Sequence, residues 1–282
     1  SYDERYVYYL VTDVNKNKNN FEIKVVDVKD GTIKLEKPLS ELTDPSIKSI
    51  YDISSQFSIN NIKNFDDKLV VVGKIFDYNI ADKGYFRIII DKNTLDLKIN
   101  SFSWKEDISK FIKIDTYGRV GSGYNLELRD VLFQKDGGVT FVTEKFKLAQ
   151  NVLMNNYVAK NTDMVVIISD NDFKIKEVKV LEKAKSKRSF SDYLFDQSIN
   201  DKNDMVFFYK DYLKDDETKD KNWNLYINTI INGKFSQEQV QISSKEDKYF
   251  IYPYIAKEGY ILLNEFNKKD KYNQIRLEKL NY

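Results

Sequence analysis

Apolar and polar residues alternate along most of this chain with a period of two, in short runs bounded by Asp, Asn and Gly. That is the pattern of half-buried β-strands. One kind of turn recurs. Asn64-Phe65-Asp66-Asp67-Lys68 leads into Leu69-Val70-Val71-Val72, and Gln134-Lys135-Asp136-Gly137-Gly138 into Val139-Thr140-Phe141-Val142. Asn203-Asp204 leads into Met205-Val206-Phe207-Phe208, and Lys257-Glu258-Gly259 into Tyr260-Ile261-Leu262-Leu263. A second turn keeps step with the first, at Asp27-Val28-Lys29-Asp30-Gly31, Asp91-Lys92-Asn93-Thr94, Asp170-Asn171-Asp172 and Ile231-Asn232-Gly233-Lys234. Asn-Gly and Asp-Gly supply the positive φ that tight hairpins need.

With strands named A to D in each unit, the units fall at residues 1–40, 57–101, 126–182, 193–244 and 249–282. The first unit lacks its A strand and the last lacks D. The first residues read like the middle of a unit, so upstream sequence is expected to have been removed. The expected fold is all-β, a β-propeller or propeller-like array of about five four-stranded antiparallel units in one domain. Tandem β-sandwiches are the alternative. Helix is nearly absent, residues 103–112 being the stretch that could form a short turn of it.

On this topology the A–B and C–D turns share one face and are short. The B–C connections (13–20, 77–83, 147–163, 210–222) and D–A connections (36–56, 101–125, 183–192) share the other and differ in every unit. Variable loops on a rigid scaffold are where binding usually sits.

Composition narrows the chemistry. The 282 residues carry 45 Lys and Arg against 44 Asp and Glu, with no His and no Cys. The net charge of +1 provides no global field for nucleic acid or an anionic membrane. Lack of His excludes a Ser-His-Asp triad and a histidine zinc site, and lack of Cys excludes disulfides and thiolate chemistry. No apolar run reaches the length of a membrane span. No cofactor or metal is expected. Asp215-Asp216-Glu217 with Asp220 could attract calcium, but Lys214, Lys219 and Lys221 neutralise the cluster and no Asp-x-Asp-x-Asp-Gly spacing occurs.

The candidate binding residues are few. Tyr117-Gly118-Arg119-Val120-Gly121-Ser122-Gly123-Tyr124 is a glycine-rich connector or a ligand-gripping loop, but not a phosphate loop. Lys183-Ala184-Lys185-Ser186-Lys187-Arg188 is a solvated basic loop or a docking patch for an acidic partner. Trp104 and Trp223 are core fillers or stacking anchors beside charged neighbours, and Tyr157 sits in the longest B–C connection. An enzyme alternative survives the lack of His, because glycosidases work with paired carboxylates. Its candidates are Asp52, Glu127, Asp130, Asp192, Asp196 and Asp247, all more naturally read as turn and cap formers.

From Leu128-Arg129-Asp130-Val131-Leu132-Phe133-Gln134-Lys135-Asp136-Gly137-Gly138 through Thr162-Asp163-Met164-Val165-Val166-Ile167 to residues 201–211, the chain resembles a group of uncharacterised bacterial propeller-like proteins. The resemblance implies a propeller and an exported, cell-envelope location. It supplies no catalytic residues. The expectation is a non-enzymatic protein-binding or scaffolding module. A protein partner is favoured over a glycan and no nucleic acid is expected; a glycan-binding protein or carboxylate-dependent glycosidase is the alternative. Oligomeric state is left open.

Overall fold

A computed structural model describes residues 1–15, 18–38, 56–76, 81–134, 136–151, 156–185, 191–200, 204–214 and 221–282, and the statements below concern these. They form five antiparallel sheets in succession. The first holds β1 (Tyr6–Asn15), β2 (Lys18–Asp27) and β3 (Ile33–Pro38). The second holds β4 (Gln56–Asn64), β5 (Lys68–Phe76), β6 (Asp82–Asp91) and β7 (Leu97–Ser103). A 3-10 turn at Ile108–Lys110 follows. The third sheet holds β8 (Arg119–Val120), β9 (Tyr124–Phe133), β10 (Val139–Asn151), β11 (Asn156–Ser169) and β12 (Ile175–Leu181). The fourth holds β13 (Tyr193–Ser198), β14 (Met205–Lys214), β15 (Lys221–Ile231) and β16 (Lys234–Gln241). The fifth holds β17 (Ser243–Ser244), β18 (Tyr249–Ile255), β19 (Tyr260–Asn267) and β20 (Tyr272–Lys279).

In every sheet, strands that are neighbours in space are neighbours in sequence. This up-and-down order is that of a propeller-like array and not the Greek-key connection of a sandwich. The chain divides into two compact units: Ser1–Gly123 with Asp136–Val139 and Ile168–Val178, and Tyr124–Lys135 with Thr140–Ile167 and Lys179–Tyr282. The third sheet supplies residues to both.

Period-two patterning becomes packing directly. In the first unit the register pairs Tyr8 with Val25 and Leu10 with Ile23, so the same face of both strands turns inward. Tyr8, Ile23 and Val25 join Leu69, Val71, Ile75, Phe86 and Ile88 in one apolar cluster. Val70 and Val72, on the opposite face of β5, are buried too, which explains why that strand reads as a continuous apolar run. The second unit has its own cluster of Val206, Phe208, Leu225, Ile242 and Ile261.

Two expectations need revision. Much of what reads as B–C loop is strand. The β1–β2 ladder continues to Asn15 opposite Lys18, and the β14–β15 ladder to Lys214 opposite Lys221. β10 and β11 together take up most of residues 147–163. Polar composition signals exposure, but ladder bonds are made by the backbone and need no apolar side chain. In addition, the fifth unit has a short first strand, β17, paired with β18 through Ser243–Phe250 and Ser244–Tyr249.

Backbone crowding is sharpest at Gly84 in β6. Its φ is +148°, and an added Cβ would lie 2.0 Å from the Phe102 carbonyl oxygen on β7. Gly84→Ala must therefore move one strand or the other, and should cost about 2–4 kcal/mol. Urea unfolding followed by Trp104 fluorescence would measure it; an unchanged midpoint would show that β6 and β7 do not approach this closely.

Candidate functional site in the second unit

The fourth and fifth sheets face each other through Val206, Phe208, Leu225, Ile242 and Ile261, with Trp223, Ile251 and Leu263 packed around them. Beyond this contact lies a cavity of about 390 Å³. Phe208, Leu225, Ile242, Ile251, Ile261 and Leu280 give it an apolar lining, and Glu238, Arg276, Glu278 and Lys279 give it a charged one. Its walls include β16 and β20. Each is the last strand of its sheet, with one paired neighbour among the described residues. β20 is exposed along its whole length and β16 along nearly all of it. The cavity is thus an apolar trough bordered by two open sheet edges. Arg276 holds Glu265 at 3.0 Å and Glu278 at 3.4 Å, so the charges at the β20 edge are largely satisfied among themselves. Tyr282 also lines the trough, and burial with the nearby Glu238 carboxylate raises its phenol above the usual tyrosine range.

The second unit also contains a closed charge cluster. Lys183 has no exposed side-chain surface; its Nζ lies 2.9 Å from Glu144 and 2.7 Å from Asp192. Glu144, equally buried, takes a second cation from Arg129 at 2.9 Å and accepts a hydrogen bond from the Ser191 hydroxyl at 2.8 Å. The Ala184 N–H donates to Asp211. Burial disfavours the Lys183 ammonium, but the Glu144 and Asp192 carboxylates outweigh it and hold Lys183 above the usual lysine range. Burial pushes Asp211 upward, although the Ala184 and Tyr212 N–H groups and Lys183 oppose it. Glu144 and Asp192 are both spent on cations, so neither is a spare acid or base. The cluster is a brace for the connection from β12 to β13.

The residues singled out from sequence scatter. Lys183 is the main correction: it is an internal ion-pair partner, not part of a solvated loop. Lys185 is exposed, while Lys187 and Arg188 lie outside the described residues, as do Asp52 and the 215–220 acidic stretch. Trp104, read from sequence as a core filler or a stacking anchor, is a core filler, 1% exposed. Its Nε1 donates to Asp82 at 2.9 Å and its ring packs edge-on against Tyr85 and Phe102, which withdraws it from any ligand. Tyr117 and Arg119 are exposed and stack on each other, Arg119 starting the short strand β8. Tyr157 is exposed but belongs to β11. Trp223 is half-buried in β15, edge-on to Tyr212. Of the carboxylates, Asp130 accepts the Tyr193 hydroxyl at 2.6 Å, Asp196 is half-buried, and Glu127 and Asp247 are exposed. Among the described residues no group of three or more carboxylates could hold a metal ion.

The trough escaped the sequence reading, although one signal pointed to it. Glu238-Gln239-Val240-Gln241-Ile242 places apolar residues two apart in an otherwise polar strand, the mark of an edge with one greasy face. Glu144 escaped it as well, although it stands as an acid at the end of the apolar run from Val139.

Residues 185–281 match the model of a family of unknown function (DUF6770). That stretch contains the fourth and fifth sheets and every trough residue except Tyr282. Among solved structures the chain is similar to an endo-arabinase from Bacteroides thetaiotaomicron VPI-5482, at 9% identity over 98% of this chain and 93% of that one, with a TM-score of 0.29. It is also similar to a provisionally assigned hydrolase from Bacteroides ovatus ATCC 8483, at 11% identity over 92% of this chain and 73% of that one, with a TM-score of 0.25. Superpositions this loose transfer no activity. No curated protein matches the sequence. No helix among the described residues is long and apolar enough to cross a membrane, a statement that leaves β-barrels aside.

The charge cluster makes a pH prediction. An unfolded Lys titrates near roughly 10.4, and the folded value of Lys183 is higher, so its stabilisation is complete below the unfolded value and is lost as pH rises through the folded one. Lys183→Met leaves Glu144 and Asp192 buried against fewer cations and should cost about 3–5 kcal/mol at neutral pH. Its stability should also decline less steeply than the parent's in alkali. Urea titrations from neutral to alkaline pH test both; identical curves would mean that the cluster does not enclose an ammonium.

Proposed function

We propose that this chain is a non-enzymatic protein-binding module of a bacterial cell envelope, and that it takes an extended peptide segment of its partner into the trough of the second unit. One observation carries the reading: an apolar cavity whose walls end in two unpaired sheet edges, β16 and β20. An extended peptide offers both things such a site lacks. Its backbone supplies donors and acceptors for the open edge, and alternate side chains enter the apolar floor. Each net hydrogen bond contributes about 0.5–1.5 kcal/mol, and each buried aliphatic side chain about 1.5–3 kcal/mol. A few of each suffice for micromolar affinity once association costs of several kcal/mol are met.

Selectivity follows from the border. Arg276, Glu278, Lys279 and Glu238 carry balanced charge, so the trough does not favour a strongly acidic or basic peptide. The same charges discourage indiscriminate pairing along β20. The envelope location rests on the resemblance noted for residues 128–138 and their continuation.

Selection from a random linear peptide library should enrich extended sequences with apolar residues at alternate positions. Val240→Glu places a carboxylate in the trough at a half-exposed position and should weaken the selected peptides at least roughly tenfold, an effect of about 1.4 kcal/mol or more. Its thermal midpoint should stay close to the parent's. Failure to enrich peptides, or undiminished binding to Val240→Glu, would overturn the proposal.

A further inference from the structure

The first unit contains a second cavity, of about 460 Å³, between the end of β7, the following 3-10 turn and the hairpin that begins β12. Its chemistry differs from that of the trough. Phe102, Phe111 and Phe173 supply aromatic surface, and the border alternates Asp107 with Lys110 and Asp172 with Lys174. Ser101 also lines it, with its hydroxyl buried away from the open space and without a hydrogen-bond partner.

The wall is rigidly built. Phe173 has φ +66°, a strained conformation for a large side chain without a polar group to stabilise it. Two neighbours hold it there: its ring lies 5.3 Å from that of Phe102 and 4.9 Å from the guanidinium carbon of Arg87. Arg87 is fully buried. It donates to the Gly137 carbonyl, to Asn100 Oδ1 at 2.8 Å and to the Asn171 carbonyl at 3.0 Å. Burial draws its guanidinium down to about 10 despite Asp170, Asp172 and Asp136 nearby. On the other side, Asp107 accepts the Ser103 N–H at 2.9 Å, fixing the start of the 3-10 turn that presents Phe111. Such strain persists only where the surroundings over-determine it, and it clusters at binding sites.

The lining selects a ligand class by elimination. An anion would meet Asp107 and Asp172, and a cation would meet Lys110 and Lys174. Asp107 pairs with Lys110 at 3.7 Å and Asp172 with Lys98 at 2.8 Å, both open to solvent. A wholly apolar ligand would strip water from these groups and from Lys174 without replacing it, at a cost of about 1–3 kcal/mol per polar group. A ring bearing many hydroxyls satisfies every requirement: each hydroxyl both donates and accepts, and the ring's C–H face lies against an aromatic side chain. The volume falls within the usual range for small-ligand sites of roughly 300–1,000 Å³. We propose that this cleft is a binding site for a short neutral saccharide, with Phe111 as the stacking platform and Asp107, Lys110, Asp172 and Lys174 as hydrogen-bonding partners.

The full chain would be tested on an array of neutral gluco-, xylo- and manno-oligosaccharides, with sulfated and sialylated glycans as charged comparators, and hits measured by calorimetry. The expected result is binding of at least one neutral saccharide, weakened roughly tenfold or more by Phe111→Ala and by Asp172→Asn. Both positions are exposed, and thermal midpoints should be unchanged. Val240→Glu, in the other unit, should leave saccharide binding intact, which keeps this test independent of the peptide experiment. Binding confined to charged glycans, no binding to any probe, or neutral-saccharide affinity unaffected by both cleft variants would each overturn the assignment.

Discussion

A single ammonium group organises the second unit. Lys183 Nζ sits between Glu144 and Asp192 with no exposed side-chain surface on either Lys183 or Glu144. Each member of this set is tolerable only because the others are present. A lone buried carboxylate or ammonium would cost several kcal/mol, and the surrounding backbone would rearrange to let water in. Arg129 comes from β9, Glu144 from β10, Lys183 from the end of β12, and Ser191 and Asp192 from the entry to β13. Mutual neutralisation thus fixes where the chain leaves one sheet and enters the next. The fourth sheet is set in place by that entry, and the trough is walled by the fourth and fifth sheets. Electrostatics here specifies position more than it adds stability.

The fold was legible because its punctuation is chemical. Asp-Gly and Asn-Gly turns need positive φ, and Gly31 and Gly233 adopt it at the positions where the sequence demanded it. Between turns, period-two alternation identified the faces that pack, as Tyr8 opposite Val25 shows. The strand tips were less legible. Residues 13–20 are rich in Lys and Asn, yet most continue β1 and β2, because a ladder is a backbone property that composition does not report. The site was less legible still. Lys183 belongs to a basic run in sequence but to a closed ion-pair cluster in space, and nothing within residues 183–188 separates it from Lys185. The partner that captures it, Glu144, is 39 positions away by residue number (183 − 144). Trp104 was ambiguous for the reverse reason: its charged sequence neighbours left a stacking role open beside the core-filling one, and its ring fills the core beside Tyr85.

The two cavities illustrate how one scaffold type separates two recognition problems. In the second unit, the strands bordering the trough end their sheets, so unsatisfied backbone groups lie next to apolar side chains. Such a border suits a ligand that brings its own backbone. In the first unit, the cleft is bordered by side chains of both signs on turns whose shape is fixed by Arg87 and Asp107. β7 and β12 are also the last strands of their sheets, but the cleft meets them only at the end of one and the start of the other, so the recognition proposed there falls to carboxylates, ammonium groups and an aromatic face.

Charge balance at both sites matches the chain as a whole, where 45 basic residues offset 44 acidic ones. With net charge near zero, a partner of the kind proposed would not be steered from a distance, and its association would fall in the unsteered range of roughly 10⁵–10⁶ M⁻¹s⁻¹. Discrimination then rests on short-range complementarity. On the readings proposed, the trough would reject ligands that bury charge on an apolar floor, and the cleft would reject ligands that strip water from its charged border without replacing it. Rigidity is what makes such rejection effective, because a wall that could relax would accommodate the wrong ligand at little cost. The strained Phe173 backbone, pinned by Arg87 and Phe102, serves that end.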